Sequence, residues 1–407
     1  MKQLGKSMAE FFKKETVLCI AALLAVVSMF LVPPDSGYKE YIDYNVLGLL
    51  FSLMVVTSGL GELGVFDKIA RVILKKAHNL RSLCLLMVAL CFFSSMLITN
   101  DVALLTFVPF TILLLSMAGL SEYIVAIVVY ETVAANLGSM LTPVGNPQNL
   151  YLYTASGMGL AEFLQITAPI TILSGVLLLG CCFFMKNKPV HIADKSENGV
   201  GKSLKEMVKT DAAGDTETKA DCVENTEIKK KAADGKISAY VLFYTVFGLA
   251  LFAVLKWIPV YVPFLMALCG TYIIRKGVLK KVDYCLLLTF VSFFVFIGNM
   301  GRIEAVSNMI AQLLEGRELL VAFLSSQVIS NVPAAMLLSG FTTDFAALIK
   351  GTNIGGLGTL IASLASLISY KYVVQALPEK KGKYFLYFTL VNVLFAIVLL
   401  VFTFLIG

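Results

Sequence analysis

The chain has 407 residues, of which 58% are apolar and 15% charged, with a mean hydropathy of +0.83. A soluble globular protein is nearer half apolar and about a quarter charged, so the totals exclude that class and predict an all-α polytopic membrane protein. The net charge of +6 points to membrane topology and anionic lipid headgroups, with no nucleic acid as partner. His78 and His191 sit in polar connections and the eight cysteines show no metal spacing, so neither a cofactor nor a metal is expected beyond Na⁺ as a coupling ion.

A spanning helix needs about 20 apolar residues for a ~30 Å core. In chain order, nine runs qualify: 17–33, 44–61, 122–140, 160–184, 238–256, 259–275, 283–300, 350–370 and 384–406. The first follows a basic start but lacks a small-residue cleavage site, and reads as a span and not a signal peptide. Two pairs of shorter pieces remain, 82–97 with 102–118 and 319–329 with 333–348. "LLVAFLSSQVI" (319–329) reaches only about 17 Å at ~1.5 Å per residue, so the second pair predicts a re-entrant hairpin over 319–348. The first pair, 82–118, is long enough to span, and length alone leaves its form open.

Residues 185–236 carry eleven lysines and ten acids. They predict a cytoplasmic, largely disordered linker between a first membrane half, 1–184, and a second, 237–407. The "GKS" at 201–203 has Ser196 where a P-loop needs glycine, so nucleotide binding is not expected. No nucleophile–base set is present, and no enzyme activity is expected. Basic residues cluster before the first span (Lys2, Lys6, Lys13, Lys14), before the first hairpin (Lys68, Arg71, Lys75, Lys76, Arg81), before residue 283 (Lys276, Lys280, Lys281) and before the last span (Lys380, Lys381, Lys383). The positive-inside rule then predicts a cytoplasmic N-terminus, an extracytoplasmic C-terminus and hairpins entering from opposite faces.

The two halves share motifs. "FSSMLITNDVA" (93–103) parallels "LSSQVISNVPA" (324–334), and "ANLGSMLTPVGNPQN" (135–149) parallels "TNIGGLGTLIASLAS" (352–366). Ordered matches in halves of opposite entry are the inverted repeat of secondary transporters, with one discontinuous helix per half, here 122–157 and 350–372. Thr142, Pro143, Gly145 and Pro147 break the first. Gly355, Gly356, Gly358 and Thr359 loosen the second, where a milder unwinding is expected.

Thr99-Asn100-Asp101 and Ser330-Asn331 are expected to cap the second arm of each hairpin, with Pro333 in the first turn. Helix N-termini attract anions, and freed carbonyl, hydroxyl and amide oxygens suit Na⁺. A lone Thr-Asn in a membrane helix is more often a packing hydrogen bond; its duplication beside two breaks favours binding by Asn100 and Asn331. Asp101 reads as a proton- or cation-coupling group or as a helix cap. Glu131 reads as a relay acid or as a neutral, hydrogen-bonded carboxyl, and Asp344 as interfacial, near the outer end of the second hairpin.

At these motifs, over roughly residues 44–406, the chain resembles the ion transporter superfamily in its citrate-transporter-like branch. That group holds the divalent-anion/sodium symporters, the arsenite permeases and the NhaD-type sodium/proton antiporters, and the chain looks most like a bacterial inner-membrane permease subgroup of unassigned substrate. The resemblance implies an elevator-type permease that dimerises through a scaffold. It implies one cation site from Ser95, Thr99, Asn100 and the carbonyl of Gly145, and a second from Ser326, Ser330, Asn331 and the carbonyl of Ala362. Substrate would touch Asn100, Asn146 and Pro147 on one side, Asn331 and Ser363 on the other.

The third motif position is Asp101 in one half and Val332 in the other, where the dicarboxylate symporters have threonine. Thr-Asn-Asp is similar to the arsenite and sodium/proton branches. The expected activity is secondary active transport of a small anion, a carboxylate or an oxyanion, coupled to H⁺ or Na⁺, with a Na⁺/H⁺ antiporter as the alternative. No arginine or lysine is expected at the site, and the expected partners are the anion, the coupling cation, the bilayer and a second subunit.

Overall fold

A computed structural model of the chain describes residues 15–66, 68, 79–189 and 226–406. Lys2, Lys6, Lys13, Lys14, Arg71, Lys75, Lys76, both histidines and residues 190–225, with the "GKS" stretch, lie outside the described residues. Every regular element among the described residues is a helix.

The first half holds α1 (Thr16–Leu31), α2 (Tyr44–Glu62), a hairpin of α3 (Leu80–Ile98) and α4 (Asn100–Met117), an interrupted helix of α5 (Ile124–Ser139) and α6 (Pro147–Ser156), and α7 (Leu160–Phe183). The second half opens with α8 (Thr226–Val254), α9 (Tyr261–Leu279) and α10 (Tyr284–Gly301). α11 (Glu304–Leu314) leads to a hairpin of α12 (Glu318–Ile329) and α13 (Asn331–Ser339). An interrupted helix of α14 (Phe345–Gly355) and α15 (Leu364–Ala376) follows, and α16 (Lys381–Ile406) is last. Among the described residues, eight helices are long and apolar enough to cross a membrane, so the chain is a multi-pass membrane protein. Exposed side chains such as Phe30, Ile172, Ile273 and Leu405 give it the apolar outer surface that lipid contact requires.

Short polar residues cap several of the helix starts. Asp43 accepts from the Asn45 and Val46 N–H groups at 2.9 and 3.0 Å, Asp283 accepts from Leu286 at 2.9 Å, and Asn79 forms a capping box with Ser82. These bonds take up N–H groups that a helix start otherwise leaves unpaired.

Three expected boundaries need correction. The run 333–348 is not one arm: α13 ends at Ser339, and Asp344 caps α14 by accepting from the Ala347 N–H at 2.8 Å. Asp344 therefore starts the interrupted helix instead of ending the hairpin, and 350–370 straddles a gap. Residues 226–236, expected in the linker, belong to α8; their "TEIKKKAADGK" is rich in helix formers. The second interruption is also complete, not mild, since residues 356–363 separate α14 from α15 much as 140–146 separate α5 from α6.

The hairpins pack on the interrupted helices in the same way in both halves, α3 on α5 and α12 on α14. Glycine permits the approach. A Cβ at Gly138 would stand 2.1 Å from the Phe92 carbonyl oxygen and 2.8 Å from Ser95 Oγ, and one at Gly355 would stand 2.6 Å from Ser326 Oγ. The halves also interlock: α15 packs on α4 and α5, and α6 packs on α13 and α14. Around this body, α1 packs on α10, and α2 on α8 and α9.

Gly138→Ala is expected to lower the thermal unfolding midpoint in detergent, through an overpacking cost of about 1–3 kcal/mol. Gly180→Ala is the control, because a Cβ there meets nothing within 4 Å. Equal midpoints for the two variants would contradict the close α3–α5 contact.

Candidate functional site

The two hairpin tips are built alike. Thr99 and Ser330 stand at left-handed φ, +69° and +74°, so each chain reversal takes one residue. The next amide then faces the gap of the neighbouring interrupted helix. Asn100 N–H donates to the Gly145 carbonyl at 3.2 Å, and Asn331 N–H donates to the Ala362 carbonyl at 3.0 Å. The arms α3 and α4, at 19 and 18 residues, are long enough to span, yet this bond holds their tip beside a gap within a helix. α12 and α13, at 12 and 9 residues, are too short to span.

Of the residues expected to cap the second arms, Thr99 and Ser330 do not, since neither side chain makes a cap bond. The asparagine side chains, also expected there, do. Asn100 Oδ1 accepts from the Asp101 N–H at 3.0 Å, and Asn331 Oδ1 accepts from the Val332 N–H at 2.9 Å. Left-handed backbone at the cap residue displaces its side chain from the usual capping geometry, which needs extended φ/ψ. Ser330 Oγ donates to the Ala362 carbonyl at 3.3 Å.

The gaps are held open by different means. Pro143 and Pro147 remove N–H donors from the first, and Asn149 Nδ2 donates to the Met140 and Thr142 carbonyls at 3.1 and 3.3 Å. Gly145 has no room for a side chain, since a Cβ would lie 2.0 Å from the Ser139 carbonyl oxygen. The second gap lacks proline. Gly358 turns through φ +111°, and Gln327 takes up the freed groups. Its Nε2 donates to the Gly355 and Leu357 carbonyls at 2.9 and 2.8 Å, and its Oε1 accepts from Thr359 N–H at 3.0 Å. Gln327 thus serves the groups that the complete gap leaves free; the sequence signal was an amide beside the Ser325-Ser326 pair of the arm. Thr142 and Thr359 anchor both gaps by donating to equivalent arm carbonyls, Met96 and Gln327, the latter at 3.0 Å.

Amide side chains then join the halves. Asn136 Oδ1 accepts from Asn100 Nδ2 and from Ser363 Oγ, both at 3.0 Å, and Asn136 Nδ2 donates to Ser366 Oγ at 3.3 Å. In the mirror arrangement, Asn353 Oδ1 accepts from Asn146 Nδ2 at 3.1 Å and Asn353 Nδ2 donates to Asn149 Oδ1 at 2.6 Å. Each half's first helical segment thus holds the other half's second segment. Asn136, Asn353, Asn149 and Ser366 are absent from the sequence-expected site, although all four lie in the repeated stretch that revealed it.

Asn100, Asn146, Asn331 and Ser363 are therefore brought together, all buried, with Pro147 in the first turn of α6. Ser95 and Ser326 are buried beside them, their hydroxyls donating within their own helices to Phe92 and Ala322 carbonyls at 3.0 and 2.7 Å. Thr99, Asp101, Asn146 and Pro147 line a cavity of about 190 Å³ between the first tip, α6, α2 and the start of α10. Asn331 and Ser363 do not line it. Asp101 Oδ1 is buried without a hydrogen-bond partner, a costly state for a carboxyl oxygen. Asp283 and Lys281 also line the cavity, and Lys281 pairs with Glu62 at 2.8 Å. Glu131 lies away from this cavity, where its Oε1 accepts from Thr111 Oγ1 at 2.5 Å and its Oε2 has no partner.

A family profile described as Citrate transporter matches residues 8–351. The inner membrane protein YbiR of Escherichia coli is 29% identical over 356 residues, which cover 86% of this chain and 85% of YbiR. The uncharacterized transporter MJ0456 of Methanocaldococcus jannaschii is 31% identical over 331 residues, 81% of each chain. The silicon efflux transporter LSI3 of Oryza sativa subsp. japonica is 29% identical over 191 residues, 45% of this chain and 38% of LSI3.

Gln327→Leu removes the side-chain bonds that serve the second gap, at a cost of about 1–3 kcal/mol. Amide hydrogen exchange across residues 356–363 should accelerate by about 10-fold or more, while residues 140–146 stay unchanged. Unaltered exchange at 356–363 would mean that the gap stays ordered without Gln327.

Proposed function

We propose, from the premise that this chain belongs to the citrate transporter family and is a membrane transporter, that it is an elevator-type secondary active transporter of a small anion. The substrate is a carboxylate or an oxyanion, and the coupling ion is H⁺ or Na⁺. The observation that carries this reading is the matched pair of tip bonds, Asn100 to Gly145 and Asn331 to Ala362. They draw the N-terminal ends of α4, α6, α13 and α15 toward one buried region, and helix N-termini favour anions. The Gly145 carbonyl keeps a second lone pair, whereas the Ala362 carbonyl already accepts from Asn331 N–H and Ser330 Oγ; with Ser95, Thr99, Ser326 and Ser330 these are the hard oxygen ligands that Na⁺ takes. In this reading Asn100, Asn146, Pro147, Asn331 and Ser363 hold the anion, and Asp101 and Glu131 carry the coupling proton.

The amide network between the halves supports movement of hairpins and interrupted helices as one body. Sliding that body past α1, α2 and α8–α10 leaves its internal hydrogen bonds intact. The reading also places the chain in a bacterial inner membrane as a homodimer, with its N-terminus cytoplasmic and its C-terminus outside. A second reading, Na⁺/H⁺ exchange, is favoured by one observation: Asp101 and Asp283 line the same small cavity, which suits a cation better than an anion.

Purified protein in proteoliposomes on a solid-supported membrane separates these readings. Di- and tricarboxylates and oxyanions, with silicate included for the rice relative, should evoke a saturable current. Asn100→Ala and Asn331→Ala should each reduce it about 10–100-fold, the worth of a hydrogen bond to a charged group. Full current in both variants would sink the site. Charge movement on Na⁺ jumps alone, lost in Asp101→Asn, would establish the antiporter instead.

A further inference from the structure

Three apolar helices end at one level: α2 begins at Tyr44, α8 ends at Val254 and α9 begins at Tyr261. Between these ends and the last turns of α6 lies a groove of about 860 Å³. Leu47, Phe51 and Phe264 contribute to its apolar wall, and Tyr44, Trp257 and Tyr261 stand on its rim, 66%, 72% and 64% exposed. Aromatic side chains with a polar edge collect at the level of lipid headgroups.

Among the described residues, Lys256 is the only charged side chain lining the groove. It stands just after α8 at φ +62°, a conformation uncommon outside glycine. Its Nζ donates to the Gly157 and Met158 carbonyls at 2.8 and 3.2 Å and lies 5.4 Å from the centre of the Tyr153 ring. An ammonium has three N–H donors, so one is unassigned, and no carboxylate among the described residues pairs with it.

The structure assigns this groove to one anionic phospholipid, its phosphate on the third donor of Lys256 and an acyl chain along Leu47, Phe51 and Phe264. One lysine, an aromatic girdle and an apolar wall together match an amphipathic anion. A soluble anion leaves the wall uncovered, and a zwitterionic lipid offers Lys256 no net charge. A second copy docked groove to groove across a twofold would set lysine near lysine. Since Lys256 follows α8 and holds the chain just after α6, the lipid sits at the seam between the interlocked hairpin body and the helices around it.

Trp257 is the only tryptophan of the chain, so its fluorescence reports on this groove. The full-length protein is reconstituted into vesicles in which brominated phosphatidylglycerol or brominated phosphatidylcholine is titrated as a minor component. Phosphatidylglycerol should quench Trp257 at about fivefold lower mole fraction, equivalent to the ~1 kcal/mol expected of one basic side chain at an anionic surface. High salt should erode the preference, Lys256→Arg should keep it, and Lys256→Gln should abolish it. Equal quenching by both lipids in the unaltered protein would overturn the assignment, as would a preference that survives in Lys256→Gln. Absence of quenching by either lipid would overturn it as well, and would identify protein, such as a second copy, as the cover.

Discussion

Backbone amides and carbonyls inside a bilayer have no water to bond, and each one left unpaired is expensive. A hairpin that turns back at depth exposes an N–H at its tip, and a helix that breaks at depth exposes carbonyls. The bonds from Asn100 to Gly145 and from Asn331 to Ala362 cancel one orphan against the other. Much of the surrounding structure follows from keeping those bonds short. Glycine at 138 and 355 lets arm and helix approach to backbone contact, and Thr142 and Thr359 tie each gap to the arm beside it.

The same constraint is met with different residues in the two halves. Proline and Asn149 serve the first gap, whereas Gly358 and Gln327 serve the second. Residues that bond the backbone are therefore freer to differ than the geometry they enforce. Within the repeated stretches 93–103/324–334 and 135–149/352–366, the one difference that changes charge is Asp101 against Val332. It places a carboxylate beside the first tip only, in a cavity that the second half's tip does not line. A repeated scaffold thus carries an acidic side chain beside one tip only.

Asn136 and Asn353 convert two half-sites into one body. Each bonds residues on both sides of the repeat boundary, and all their partners are buried. A polar network in so dry a setting is stabilising only when its members are satisfied. Relative movement within it would strand amides.

Composition and apolar run length by themselves determined that this chain is an all-helical membrane protein. The repeated "SSxxI" and "N-L/I-G" stretches determined where the hairpin tips and the helix interruptions fall. Those features are local: they follow from run length, proline and glycine positions, and short polar residues at helix ends, all visible in a window of a few turns. Tertiary structure alone decided that the tip threonine and serine do not cap, that Gln327 serves a gap lacking proline, and that Asp344 begins a helix. It also decided that Asn136 meets Ser363, 227 residues away. A side-chain amide has two donors and an acceptor that accept many partners equally well, and which one it takes depends on the helices that packing brings alongside, a choice no local periodicity encodes.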